Sequence, residues 1–381
     1  MFGKYDKTTF SKLNKQHNIF VLVGNGFDIA ALNKYNKGVW KDRTTSYTDF
    51  FEYVQFFGSK KSSNILFEKM KEDKEKENKD WSNFENTIDE LYKSKTYNID
   101  ELEKSIDELQ SYFTQYLNTL VDANILLELN KDIQDNHLTE QTLSYFSRDL
   151  QPSELDFASK VNHYDLFNFV FANFNYTSLL DNYLFFDKKQ FDPHKYKNVD
   201  TNFSFHSNYK FKKTDSETIY SSYILLDVIH PHGMQDIPRS ILFGIDLEDY
   251  DEGVSKEKRL VKAYWAQYRV KYESYLDEAN LFIIYGMSFG NSDAWWMDKI
   301  FENIRDRDVE LIIYKHGSES IDDVKEIFIN ACLRNKNEDK ETKNRVRTRI
   351  KVKTFLDNDT YFLDFKYLLN EECELNLTIQ E

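Results

Sequence analysis

The stretch Ile19-Phe20-Val21-Leu22-Val23-Gly24-Asn25-Gly26-Phe27-Asp28 runs from unbroken apolar residues into two glycines one residue apart. A strand covered on both faces needs no polar alternation, so the run reads as a buried parallel strand ending in a tight turn. Glycines in that turn let backbone approach a ligand where a Cβ would not fit. A helix following it would aim free N–H groups at negative charge. The candidate ligand is therefore a phosphate or pyrophosphate. Ile29 and Ala30 follow Asp28 where the full dinucleotide fingerprint asks for a third glycine. On these residues alone, a turn that merely closes a core strand remains an alternative.

Three further runs end on polar groups: Asn173-Phe174-Asn175-Tyr176-Thr177, His230-Pro231-His232-Gly233, and Gly286-Met287-Ser288-Phe289-Gly290-Asn291-Ser292-Asp293. In a parallel sheet all such ends lie on one edge, where residues distant in sequence converge. Glycine turns suit pyrophosphate, Asp28 or Asp293 suits ribose hydroxyls, and Asn175 can both donate and accept a hydrogen bond. The imidazole of His232 can take a proton from a hydroxyl or water. Asn175 or Asp293 could instead cap a helix, and His230 competes with His232 as the active histidine.

Between the first and second runs lies a helical region. Ile29 to Phe57 reads as helix or loop over the first strand's carboxyl end. Lys60 to Asp80 is dense in mixed charge and reads as solvated helix or loop. From Trp81 to Leu150 no glycine or proline intervenes, and Leu102, Ile106, Leu109, Tyr112, Phe113, Tyr116 and Leu117 recur at three and four residues. The expected organisation is a core begun by residues 1–59, a helical insertion over 60–150, and the rest of the core over 151–381. Further strands are expected over Tyr223–Ile229, Ser240–Ile245, Leu281–Tyr285, Val309–Tyr314 and Val346–Phe355. Asp246–Glu252 reads as an acidic loop. Helices are expected over Lys256–Leu276, from near Ser292-Asp293, where Trp295 and Trp296 read as packing, and over Ser320–Leu333. Arg345, Arg347, Arg349, Lys351 and Lys353 would share one face of the last strand and guard an edge. The alternation calls for an α/β, Rossmann-like, mostly parallel sheet flanked by helices.

Composition sets limits. The 381 residues include 31 Phe and 25 Tyr but only 11 Gly and 4 Pro, which argues for a globular chain with an aromatic core. A formal charge of −15 opposes nonspecific binding to nucleic acid or an anionic membrane. The two cysteines, Cys332 and Cys373, cannot build a four-thiolate zinc site, and no metal is expected. The absence of an apolar leader or of a run of about twenty apolar residues leads to an expected cytoplasmic address.

In their order, the four polar strand ends, together with Trp81-Ser82-Asn83-Phe84-Glu85, resemble the motifs of the bacteriophage abortive-infection AbiH family. The same order is similar to the sirtuin-like NAD-binding fold, and the resemblance spans roughly Ile19 to Asp293. It implies NAD binding and, as in antiphage relatives of that fold, hydrolysis to nicotinamide and ADP-ribose. Carried onto this chain, Asn175 would position the ribose or the attacking water and His232 would be the general base. Gly24, Asn25, Gly26, Phe27 and Asp28 would hold pyrophosphate and ribose. Gly286, Ser288, Asn291 and Asp293 would close the far side. The missing zinc module argues against lysine deacylation. Asn25 departs from the alanine usual between sirtuin glycines, and Thr177 from the aspartate common after the asparagine motif. A competing reading is a sensor that binds NAD or an ADP-ribose-type nucleotide without cleaving it. The insertion would then transmit the signal, form a homo-oligomer or bind a defence partner.

Overall fold

The structure is a computed structural model that describes residues 1–58, 63–78, 81–187, 201–208, 218–246, 257–356, 359–366 and 368. Its strands are β1 Gln16–Val23, β2 Leu166–Asn173, β3 Phe203–Ser207, β4 Thr218–Ile229, β5 Leu281–Tyr285, β6 Glu310–His316 and β7 Ile350–Phe355. They form one sheet in the order β3-β4-β2-β1-β5-β6-β7. Every neighbouring pair is parallel except β3 with β4. Val23 stands opposite both Asn173 and Tyr285, so the turns after β1, β2 and β5 leave the sheet at one level.

The helices between β1 and β4 are α1 Gly26–Tyr35, α2 Tyr47–Phe57, α3 Ile65–Glu75, α4 Phe84–Ser94, α5 Ile99–Leu120, α6 Ala123–Asn136, α7 Leu138–Tyr145, α8 Asp156–Ser159 and α9 Leu179–Leu184. After β4 come α10 Lys262–Trp265, α11 Tyr268–Lys271, α12 Glu273–Glu278, α13 Ala294–Asp306, α14 Ile321–Ala331 and α15 Lys340–Arg349. The period-two pleat divides the core between these two sets. Ile19, Val21 and Val23 join Phe167, Phe169 and Phe171 in a cluster with Leu102, Leu109, Phe113 and Leu117 of α5. Phe20 and Leu22 point the other way, among Trp295, Trp296, Phe301 and Phe328. The sheet is thus sandwiched, and residues of the 60–150 insertion share one apolar cluster with its first face.

α5 shows why the insertion is helical. Its apolar positions bury one stripe, and Asn98 and Glu101 form a reciprocal capping box at its start. Among the described residues no helix is long and apolar enough to cross a membrane.

Several expected elements differ. Ser240–Ile245 is not a strand: Ile241, Phe243 and Ile245 alternate inward, but the stretch makes only one ladder contact, Ile245 with Val261. The helix expected over Lys256–Leu276 is broken into short turns, at Gln267 by a positive φ of 54°. Val346–Arg349 is the last turn of α15, a helix capped at its start by Asp339 and buried at Val346, and the strand begins only at Ile350. Of the five expected edge cations only Lys351 and Lys353 lie on β7, which is an edge strand. The antiparallel edge strand β3 was not expected. Beyond Asp246 the acidic loop lies outside the described residues, as do residues 59–62 and 79–80 of the charged region and Cys373.

Candidate functional site

The carboxyl ends of β1, β2, β4 and β5 open into a cleft of about 580 Å³, within the usual size range for small-molecule sites. Strand order reverses across β1, whose successor β2 lies on one side and β5 on the other. Such a reversal leaves a crevice at the strand ends. Of the residues singled out from the sequence, Gly24, Asn25, Gly26, Asp28, Asn175, His232, Gly286, Ser288 and Asp293 line this cleft.

Phe27 and Asn291 do not. Phe27 turns into the core, its ring centre 5.4 Å from Tyr183 and 5.3 Å from Phe365. Asn291 is exposed and lines a smaller neighbouring cavity. His230 also lies outside the cleft, with Nε2 2.9 Å from Asp181 Oδ1.

The glycines have a reason besides ligand approach. A Cβ on Gly24 would sit 2.7 Å from Gly286 O, and one on Gly26 would sit 2.8 Å from Gly286 Cα. Gly26 N donates to Gly286 O at 3.0 Å, and Gly286 itself has a φ of +65°. The two turns pack backbone to backbone, which requires glycine with or without a ligand. Asn25 donates from Nδ2 to Thr45 O at 3.2 Å and accepts the Thr45 hydroxyl at Oδ1. Its side chain therefore leaves the first turn of α1 uncapped.

At the end of β2, Asn175 is only 2 % exposed, and neither its Oδ1 nor its Nδ2 has a hydrogen-bond partner. A buried amide without partners costs about 1–3 kcal/mol, so its place at the cleft wall invites a polar ligand atom. The backbone holds it there, Asn175 N donating to Asn173 Oδ1 at 3.0 Å. Asp28 is fully buried; Oδ2 accepts the Thr177 hydroxyl at 2.7 Å and Oδ1 has no partner. Burial pushes its carboxyl up to about 7, with nearby Asp181 adding to the rise against the Thr177 bond and His230.

After β4, His232 is 3 % exposed and stands edge-on to Phe174, the residue before Asn175, ring centres 4.8 Å apart. Its Nε2 lies 3.0 Å from Asp293 Oδ1 and 3.2 Å from the Tyr268 hydroxyl. Asp293 Oδ1 also lies 3.1 Å from Lys262 Nζ, which in turn contacts Glu85 Oε1 at 2.7 Å. Burial opposes charge on Asp293, but Lys262 and His232 outweigh it and hold the carboxyl well below its ordinary range. Burial likewise opposes the Lys262 ammonium, and Asp293 and Glu85 more than offset it. Among the described residues Asp293 Oδ1 has no hydrogen bond of its own, so its approach to Nε2 is an ion-pair contact, and the hydrogen-bond partner of Nε2 is the Tyr268 hydroxyl.

Sequence reasoning missed Lys262 and Tyr268, and it quoted Glu85 without giving it a role. Lys262 had one available signal: it interrupts the apolar stretch Leu260-Val261-Lys262-Ala263. Aromatic side chains of Tyr47, Phe113, Phe174 and Tyr176 complete the lining, with Lys315 and His316 at the end of β6. Among the described residues no group of three or more His, Cys, Asp or Glu is arranged to hold a metal ion.

No curated protein and no solved structure matches the chain. The family model described as bacteriophage abortive infection AbiH matches residues 20–315, from β1 through most of β6, and the chain belongs to that family.

Proposed function

We propose that this AbiH-family chain acts in abortive infection by hydrolysing the nicotinamide–ribose bond of NAD, which releases nicotinamide and ADP-ribose. The observation that carries this reading is the partnerless amide of Asn175, buried in the same cleft as His232. The order of the six parallel strands, β4-β2-β1-β5-β6-β7, supports it, because doubly wound Rossmann-like sheets that bind dinucleotides share that order.

In this reading the first turn of α1 and Lys315 face the pyrophosphate. The aromatic wall takes the nicotinamide ring, and the Asp28 carboxyl reaches a ribose hydroxyl. The bond from C1′ to the ring nitrogen breaks with its electron pair leaving on nicotinamide. Asn175 orients the ribose or the water that adds at C1′, and Nδ1 of His232 accepts the proton through a ribose hydroxyl. Asp293 holds the imidazole rather than the substrate.

The test is to incubate the purified chain with NAD and quantify nicotinamide and ADP-ribose beside Asn175→Ala and His232→Ala. Release by the wild type that falls at least a hundredfold in both variants is the expected result, about the scale of a lost acid–base group. Calorimetry on the same samples separates the alternatives. Binding without turnover would replace the enzyme by a nucleotide sensor, and no binding at all would sink the dinucleotide pocket.

A further inference from the structure

Four ionisable groups meet in the cleft wall, two acids and two bases: Lys262 and His232 are buried, Glu85 and Asp293 partly so. Glu85 enters on the first turn of α4, in the helical insertion; Lys262 begins α10; Asp293 precedes α13; His232 follows β4. Lys262 is 1 % exposed and bridges Glu85 Oε1 and Asp293 Oδ1. The other Glu85 oxygen accepts the Ser292 hydroxyl, so Glu85 grips both the lysine and the loop that carries Asp293. Asp293 then reaches His232.

Charge balance gives this chain of contacts a consequence. When His232 takes a proton, the four groups form two matched pairs, Glu85 with Lys262 and Asp293 with His232. Without Glu85, Lys262 would claim Asp293 and leave the imidazolium without a counterion. Without Lys262, two carboxylates would compete for one imidazolium. The other groups facing this cluster add little charge. Burial pushes the hydroxyls of Tyr47, Tyr176 and Tyr268 well above their ordinary value, so they stay neutral. Asp246 shares the Arg334 guanidinium with Asp298, at 2.8 and 3.1 Å, and this group is the same in every variant below.

We propose that Glu85 and Lys262 are positioning residues for His232, and that the helical insertion, by supplying Glu85, completes the site rather than standing apart from it. The part concerning turnover rests on the glycohydrolase reading, so the primary measurement does not use turnover.

That measurement follows the His232 ring by NMR in the full chain with isotope-labelled histidine, its signal assigned by its loss in His232→Ala. Removing a negative charge in Glu85→Gln moves the imidazole titration to lower pH, and removing a positive charge in Lys262→Met moves it to higher pH. Each shift is on the order of one pH unit. The double variant Glu85→Gln/Lys262→Met restores balance and returns the titration close to wild type. If Lys262→Met alone fails to fold, the contrast between Glu85→Gln and the double variant carries the test. Singles that leave the titration unmoved, or move it in the same direction, overturn the proposal. In the nicotinamide assay each single lowers kcat about tenfold with KM little changed. If the wild type releases no nicotinamide while the titrations move as expected, the glycohydrolase reading fails and the charge-balanced cluster stands.

Discussion

On the β1 wall of the cleft, Asp28 is fully buried with one hydroxyl, that of Thr177, as its hydrogen-bond partner. On the β5 wall, Asp293 has a lysine and a histidine within 3.1 Å. The residue type is the same and Asp293 is only somewhat less enclosed, its side chain 16 % exposed, yet burial dominates at Asp28 and neighbouring cations dominate at Asp293. Partners, not depth, decide which carboxylate keeps its charge. One cleft thus holds a carboxylate kept charged beside His232 and a second carboxyl pushed up to about 7.

The most severe way to break this contrast is to strip the charged wall of its cation. Lys262→Met leaves Glu85 and Asp293, both largely enclosed, with only the His232 imidazole as a counterion for the pair, and the expected loss is about 3 kcal/mol in urea denaturation at neutral pH. A loss below about 1 kcal/mol would mean that the carboxylates neutralise each other by sharing a proton.

Asp28→Asn sharpens the contrast from the other wall. A carboxyl whose folded pKa lies above its unfolded value binds more protons when folded. Its stabilisation is therefore complete below 3.8 and is lost as pH rises to about 7. Across that window the loss is on the order of 4 kcal/mol at about 1.4 kcal/mol per pH unit. Asp149, also pushed up to about 7 by burial, titrates in the same window. The variant is expected to remove the Asp28 share of the fall in stability with pH, about 1.4 kcal/mol per pH unit within that window, read as the urea midpoint at successive pH values. An unchanged slope would place the titration elsewhere.

The smallest effect is expected between the walls, at Asn175. Its side-chain amide has no partner to lose, so Asn175→Ala changes stability by no more than about 1 kcal/mol in thermal unfolding while nicotinamide release collapses. A large destabilisation would instead assign the amide a structural bond.

The β1 wall was legible in the sequence because its signals are local. An apolar run ending on glycines specifies a strand and a turn, and parallel pairing brings the four polar ends to one edge. Of the charged wall, His232 and Asp293 were legible in the same way, while Lys262 and the role of Glu85 were not. Lys262 follows a run of charged residues and reads as part of a solvated helix, and only the break of that helix into short turns carries it inward. Glu85 lies in a recognised motif, but its partner is 177 residues away, beyond any periodicity. The stretch Ser240–Ile245 failed for a related reason: its alternation correctly gives the buried side chains, while a strand also needs a neighbour to pair with, which alternation does not report. Phe27 adjoins the glycine turn, yet the helix phase directs its ring to the core.

The central position of β1 also has a consequence during biosynthesis. Its two neighbours are β2 and β5, the second beginning at Leu281, well over two hundred residues after Val23. At a synthesis rate of about 5–20 residues per second, β1 waits on the order of tens of seconds for its second partner. During that wait one hydrogen-bonding edge of β1 is open beside the emerging chain. Expression at lower temperature, or with added holdase chaperones, should therefore raise the soluble yield of the full chain.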